Sequence, residues 1–179
     1  MIYIPCLVTL FYVYIAVKKT ELPNGDVPPM SVINKVFYNL ILTEVFFFLA
    51  WLYDFPVGVF SFTNLVIFYI VQDIYFYLVH KFIFHGPLYF MHKRHHERLD
   101  AYAAWYASTI EHILLNIGSI AVPFWLFPNA TLVFLVIILQ QIYTSVDGHT
   151  LNSPHSVHHK DITRRFGSIY LLDRLFGSF

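Results

Sequence analysis

"HKFIFHGPLYFMHKRHH", residues 80–96, places His80, His85, His92, His95 and His96 inside a chain that is 58% hydrophobic. A second stretch, "HTLNSPHSVHH" at 149–159, adds His149, His155, His158 and His159, so nine of the ten histidines fall in two places. Burying an imidazole without a partner is costly, and neutral imidazole is the commonest nitrogen donor to metal ions. The spacing fits metal. His92, His95 and His96 are related as i, i+3 and i+4, which predicts a shared helical face, and His155, His158 and His159 repeat the pattern. Two HxxHH units on one side of a bundle can grip metal from opposite directions. His80 and His85 are five apart, so on an ideal helix they point about 140° away from each other. They share a ligand face only if the helix ends or distorts between them, and Gly86-Pro87 supplies an ending.

Nine imidazoles exceed the four ligands of a zinc site and suit two ions with about four or five nitrogens each. Imidazole suits iron and leaves positions open for O₂. Spacing alone does not separate iron from zinc. HExxH is absent, which removes the zinc-protease reading, and there is no nucleophile elbow or Gly-rich phosphate loop.

Outside these stretches the chain reads as membrane protein. Its 179 residues suit one small bundle, with 20% aromatic and only 12% charged residues. The zero formal net charge gives no basic surface for nucleic acid. Cys6 stands alone, so no internal disulfide and no CxxC motif exists. Apolar segments run over about 2–17, 36–53, 62–79, 112–127 and 130–146, separated by Pro, Gly or charge. The first lacks a basic leader and a small-residue cleavage site, and reads as a retained anchor rather than a signal peptide. The last two form a tight helical hairpin, with Pro123 kinking the first of them. The expected fold is therefore all-α: a polytopic membrane bundle of four to five hydrophobic segments, with 1–179 as one integral-membrane domain. Threading the chain with Lys18 and Lys19 in the cytosol puts all eleven Lys and Arg on that side. It also brings both histidine stretches to the cytosolic face. A sequon at Asn129 sits in the far turn, too close to the bilayer for glycosylation.

Asp73, Tyr77 and His80 lie one below another at i, i+4 and i+7 on one face of the third segment. A carboxylate within a span is expensive and marks function, so Asp73 is expected to accept an N–H from a ligating imidazole.

These residues resemble the fatty acid hydroxylase superfamily, which includes sterol desaturases, C-4 methylsterol oxidases, fatty-acid and sphingolipid hydroxylases and alkylglycerol monooxygenase. The similarity runs from Asp73 to the C-terminus: Asp73, Tyr77, His80 and His85, then His92, His95 and His96, then His149, then His155, His158 and His159. The tail "RRFGSIYLLDRLFGSF" also resembles the family ending. The resemblance implies a helical membrane oxidase holding two iron ions, with zinc as the alternative. It implies O₂ and a membrane lipid as substrates, and electrons from an external membrane electron-transfer protein. No haem motif, ferredoxin cysteine set or flavin fingerprint is encoded. The host membrane would be the endoplasmic reticulum in a eukaryote or the inner membrane in a bacterium.

The departures leave the lipid open. Four residues separate His80 from His85, where sterol-type members have three, and the full spacing is closer to that of bacterial carotenoid hydroxylases. Where many members carry His-Pro-x-Glu, this chain has "STIE": Ser108 replaces the histidine and Glu111 remains, to orient a ligand. His112 follows directly and reads as a structural histidine, with compensation for the missing ligand as the alternative. Two other classes compete with the oxidase. One is a non-redox metal-binding homologue. The other is a metal or proton transporter, which would place ionisable groups in mid-membrane rather than at helix ends.

Overall fold

The computed structural model describes residues 29–52, 61–100, 102–127, 149 and 153–179. Within these every regular element is helical and no strand occurs. Helix α1 (Met30–Leu52) starts after Pro28-Pro29, with the Pro29 carbonyl accepting the N–H of Val32 at 2.9 Å. It begins before the apolar run proper because Ser31, Asn34 and Lys35 lie in the first turns, where polar groups are still met. Helix α2 (Phe62–Leu78) is capped by Ser61, whose hydroxyl accepts the Asn64 N–H, and it passes straight into a π-helical turn, Val79–Phe84. Two short pieces follow, α3 (Tyr89–His92) and a 3₁₀ turn, His95–Glu97. Helix α4 (Thr109–Glu111) opens a third long rod through a second π turn, His112–Ile117, into α5 (Gly118–Leu126). The tail holds α6 (Pro154–Lys160) and α7 (Leu171–Leu175).

Among the described residues, three rods are long and apolar enough to span a bilayer: Met30–Ala50, Phe62–Phe84 and Thr109–Leu126. They are apolar outward as well as inward, with Phe62 71% and Trp125 78% exposed, as lipid-facing helices are. The chain is a multi-pass membrane protein. Of the five expected segments, 2–17 and 130–146 lie outside the described residues, as do Cys6, the sequon at Asn129 and the turn near 54–58.

Lipid tails are as apolar as leucine, so burial alone drives little helix association in a bilayer, and polar contacts of about 0.6–2 kcal/mol each matter. Four such contacts tie the rods together. Asn39, fully buried, donates to the Trp105 and Ala107 carbonyls at 2.8 and 3.0 Å. Thr43 pairs with His112, Tyr75 donates to the Leu114 carbonyl, and Lys35 donates to Thr109. The start of α1, the end of α2 and the start of α4 thus meet at one end, and both histidine stretches are there. A cluster of Phe47, Phe68, Ile120 and Phe124 fills the other end.

Candidate metal centre

The π turn answers the problem posed by His80 and His85. Its i→i+5 pattern places each residue over the one five earlier, and the His85 N–H meets the His80 carbonyl at 2.8 Å. The two rings then stand 4.9 Å apart instead of facing opposite ways. The turn ends at Phe84. Gly86 follows, where a Cβ would lie 2.4 Å from the Phe82 carbonyl oxygen, so only glycine fits.

All nine histidines converge, and they divide into two groups. His80, His85, His92, His96 and His158 form one, and His95, His149, His155 and His159 the other. In each group every residue offers a ring nitrogen within 4.8 Å of the others. The groups are contiguous, with the His96 and His159 rings 4.8 Å apart. Neither HxxHH unit stays whole. The expected common helical face for His92, His95 and His96 is not observed, because α3 stops at His92 and a 3₁₀ turn carries the other two. His92 and His96 enter the five-histidine group, and His95 enters the other. The second unit is helical throughout α6. There His155 and His159 share a face at i and i+4, while His158, about 100° from His159, turns to the first group.

Three imidazoles are held from behind. His80 Nδ1 donates to the Phe166 carbonyl at 2.8 Å and His158 Nδ1 to the Arg164 carbonyl at 2.5 Å. His92 Nδ1 meets Glu111 Oε1 at 2.7 Å. A carbonyl only accepts, so His80 and His158 must carry their proton on Nδ1, which leaves Nε2 as a bare lone pair. These lone pairs face other imidazoles closely: His80 Nε2 is 3.0 Å from His92 Nε2, and His158 Nε2 is 3.0 Å from His85 Nε2. His92 Nδ1 is likewise occupied, by Glu111, so His80 and His92 turn their Nε2 atoms to each other. A cation resolves that arrangement, and carbonyl- or carboxylate-backed histidine is the usual dress of a metal ligand. Burial, reinforced by the His158 imidazole, lowers His85 and His96 to about 3, and burial lowers His158 to about 4. All three are neutral donors at physiological pH.

Glu111 is placed by the helix it starts. Ser108 is the N-cap of α4. Its hydroxyl accepts the Glu111 N–H at 3.2 Å, and Glu111 Oε2 accepts the Ser108 N–H at 3.3 Å. The other carboxylate oxygen remains for His92.

Asp73 and Tyr77 do not serve the imidazoles directly. The Asp73 carboxylate, expected to take an imidazole N–H, is filled by tail donors: the N–H groups of Ile169 and Leu172 and the Ser168 hydroxyl. Tyr77 Oη accepts from Lys81 at 2.6 Å and its ring stacks on Phe176. The physical reason is position. Both side chains face the C-terminal segment, which covers this face of α2. His112 belongs to neither group. It is fully buried between Thr43 at 2.8 Å and Asn116 at 3.0 Å.

A cavity of about 90 Å³ opens beside the histidines, lined by His80, His92, His95 and His155 and by Phe76, Trp105, Leu115 and Ile120. The groups that sequence reading missed are mainly backbone ones, the Phe166 and Arg164 carbonyls, which no residue type announces. Asp173, described below, was visible only as part of the tail motif.

The sequence matches known proteins. The fatty acid hydroxylase family model matches residues 65–178. A Dictyostelium discoideum protein carrying a methylsterol monooxygenase name is 29% identical over 135 residues, 64% of this chain and 50% of its own. A methylsterol monooxygenase of Aspergillus fumigatus is 32% identical over 104 residues, 54% of this chain and 35% of its own. The C-4 methylsterol oxidase of Candida albicans is 28% identical over 100 residues, covering 51% and 32%. The chain thus spans half or less of the length of these relatives. No solved structure gives a significant match. With more than half of its length matched, including every clustered histidine, the chain belongs to the fatty acid hydroxylase family.

Proposed function

We propose that the chain is a membrane-bound lipid oxidase that uses O₂, holding two iron ions in its two histidine groups. The observation that carries this reading is the convergence of nine imidazoles into two groups, with the ring nitrogens of each group within 4.8 Å of one another. The donor set fits iron: it is all-nitrogen, neutral, buried and larger than one tetrahedral site requires. His80, His85, His92, His96 and His158 would hold one ion, and His95, His149, His155 and His159 the other. Bound there, iron supplies activation of O₂ for attack on a C–H bond.

The chain's own residues do the rest. Phe76, Trp105, Leu115 and Ile120 offer a hydrocarbon wall to an apolar substrate and keep water out. Glu111 and the Phe166 carbonyl fix the His92 and His80 rings beside that wall. The names of the relatives favour a sterol as the lipid, while the four-residue gap between His80 and His85 leaves other lipids open. Hydroxylation and desaturation both begin by removing hydrogen, so the same site serves either. Electrons come from a separate membrane protein. The basic residues at the histidine end orient the site to the cytosol, in the endoplasmic reticulum of a eukaryote or the inner membrane of a bacterium.

The test combines metal analysis of the purified chain with lipid mass spectrometry of cells making it, making its His95→Ala or His158→Ala variant, or lacking it. We expect iron, and an oxidised or desaturated lipid that disappears in both variants. Zinc with no lipid change would support the non-redox homologue instead.

A further inference from the structure

Two carboxylates that this chemistry does not use, Asp73 and Asp173, are both fully buried. Each is surrounded by donors from one segment. Asp73 Oδ1 accepts the Ile169 N–H at 2.8 Å and the Ser168 hydroxyl at 3.3 Å, and Oδ2 accepts the Leu172 N–H at 3.1 Å. Asp173 Oδ1 accepts the Phe166 N–H at 2.9 Å and the Ser178 hydroxyl at 2.7 Å, and Oδ2 accepts the Gly167 N–H at 2.6 Å. Gly167 is wedged between the two: a Cβ there would lie 2.6 Å from Asp73 Oδ1 and 2.9 Å from Asp173 Oδ2. Each carboxylate thus fills both of its oxygens with donors from this segment. Residues 166–172 are therefore locked from both sides, and Tyr170 adopts a left-handed conformation, φ 62°, within the lock.

The outward-facing groups of the same segment are what matter. The Phe166 carbonyl takes the His80 Nδ1 proton and the Arg164 carbonyl that of His158. Both histidines belong to the five-membered group. We infer that Asp73 and Asp173 are positioning residues for the five-histidine group alone, setting the His80 and His158 rings through the Phe166 and Arg164 carbonyls. This rests on reading that group as a metal site.

Asp73→Asn and Asp173→Asn keep side-chain shape but turn one acceptor into a donor facing an N–H. Gly167→Ala presses on both carboxylates while leaving the two aspartates themselves unchanged. The full-length variants are purified in detergent and loaded with iron(II). Release to a chelator is then timed, with His96→Ala and His95→Ala assigning the phases to the five- and four-histidine groups, and an unfolding midpoint confirms the fold. The phase of the five-histidine group should quicken about 10–100-fold, the scale on which groups behind a ligand act, while the other phase stays as in wild type. Unchanged release, or equal quickening of both phases, overturns the inference and leaves the metal reading intact. A wild-type chain that takes up no iron overturns both.

Discussion

Glu111 binds His92 with one carboxylate oxygen, at 2.7 Å, and closes the capping box of its own helix with the other. The first turn of the third span and a ring of the five-histidine group are thus held by one side chain. Glu111→Gln keeps the reach but replaces the carboxyl group with an amide. It should lower metal affinity about 10–100-fold, with a loss of stability within the ~0.5–2 kcal/mol range of a weakened cap. Metal titration beside thermal unfolding separates the two effects, and unaltered affinity would detach Glu111 from the site.

His95 and His96 are neighbours in sequence, yet they enter different groups. His95→Ala and His96→Ala should each remove about one ion per chain, and the doubly substituted chain should lose both. Metal content measured by mass spectrometry checks this. Loss of both ions from either single variant would mean that the two groups act as one site.

Removing metal should loosen this end of the bundle. A metal held by His80, His92 and His158 would join the π turn, α3 and α6, a link that its removal takes away. A chelator should lower the unfolding midpoint in detergent, and iron should restore it, because a ligand that binds only the folded state stabilises it by mass action. An unchanged midpoint contradicts the expectation.

His112 should behave as a strut. Its replacement by Ala leaves Thr43 and Asn116 facing a gap, at a cost of about 1–3 kcal/mol for unsatisfied buried groups. Metal content should stay at the wild-type value. Loss of an ion with the fold intact would make His112 a ligand after all.

Much of this arrangement was legible in the sequence, and what was hidden has a physical reason. Histidine spacing and apolar runs pointed to a helical membrane protein with its imidazoles at one end. They also showed that His80 and His85 share a ligand face only if the helix ends or distorts between them; Gly86-Pro87 pointed to an ending, whereas the chain makes a π turn, which no residue type marks. The split of each HxxHH unit was hidden because it depends on where α3 stops, a matter of tertiary contact. Asp73 was rightly singled out as a costly carboxylate, but its partners are backbone N–H groups nearly a hundred residues away. Main-chain donors and acceptors carry no signature in a sequence, so the route from Asp73 to His80 becomes visible only in three dimensions.

The order in which the ribosome delivers these parts has a consequence for how the protein matures. Five histidines emerge early, at the mouth of the second rod, but one group closes only with His158 and the other only with His159, and the braces for His80 and His158 arrive later still, with Arg164, Phe166 and Asp173. A chain halted before these residues would display unfinished imidazole clusters at the membrane surface. Were metal bound there, its full set of ligands and braces would exist only once Asp173 has been made.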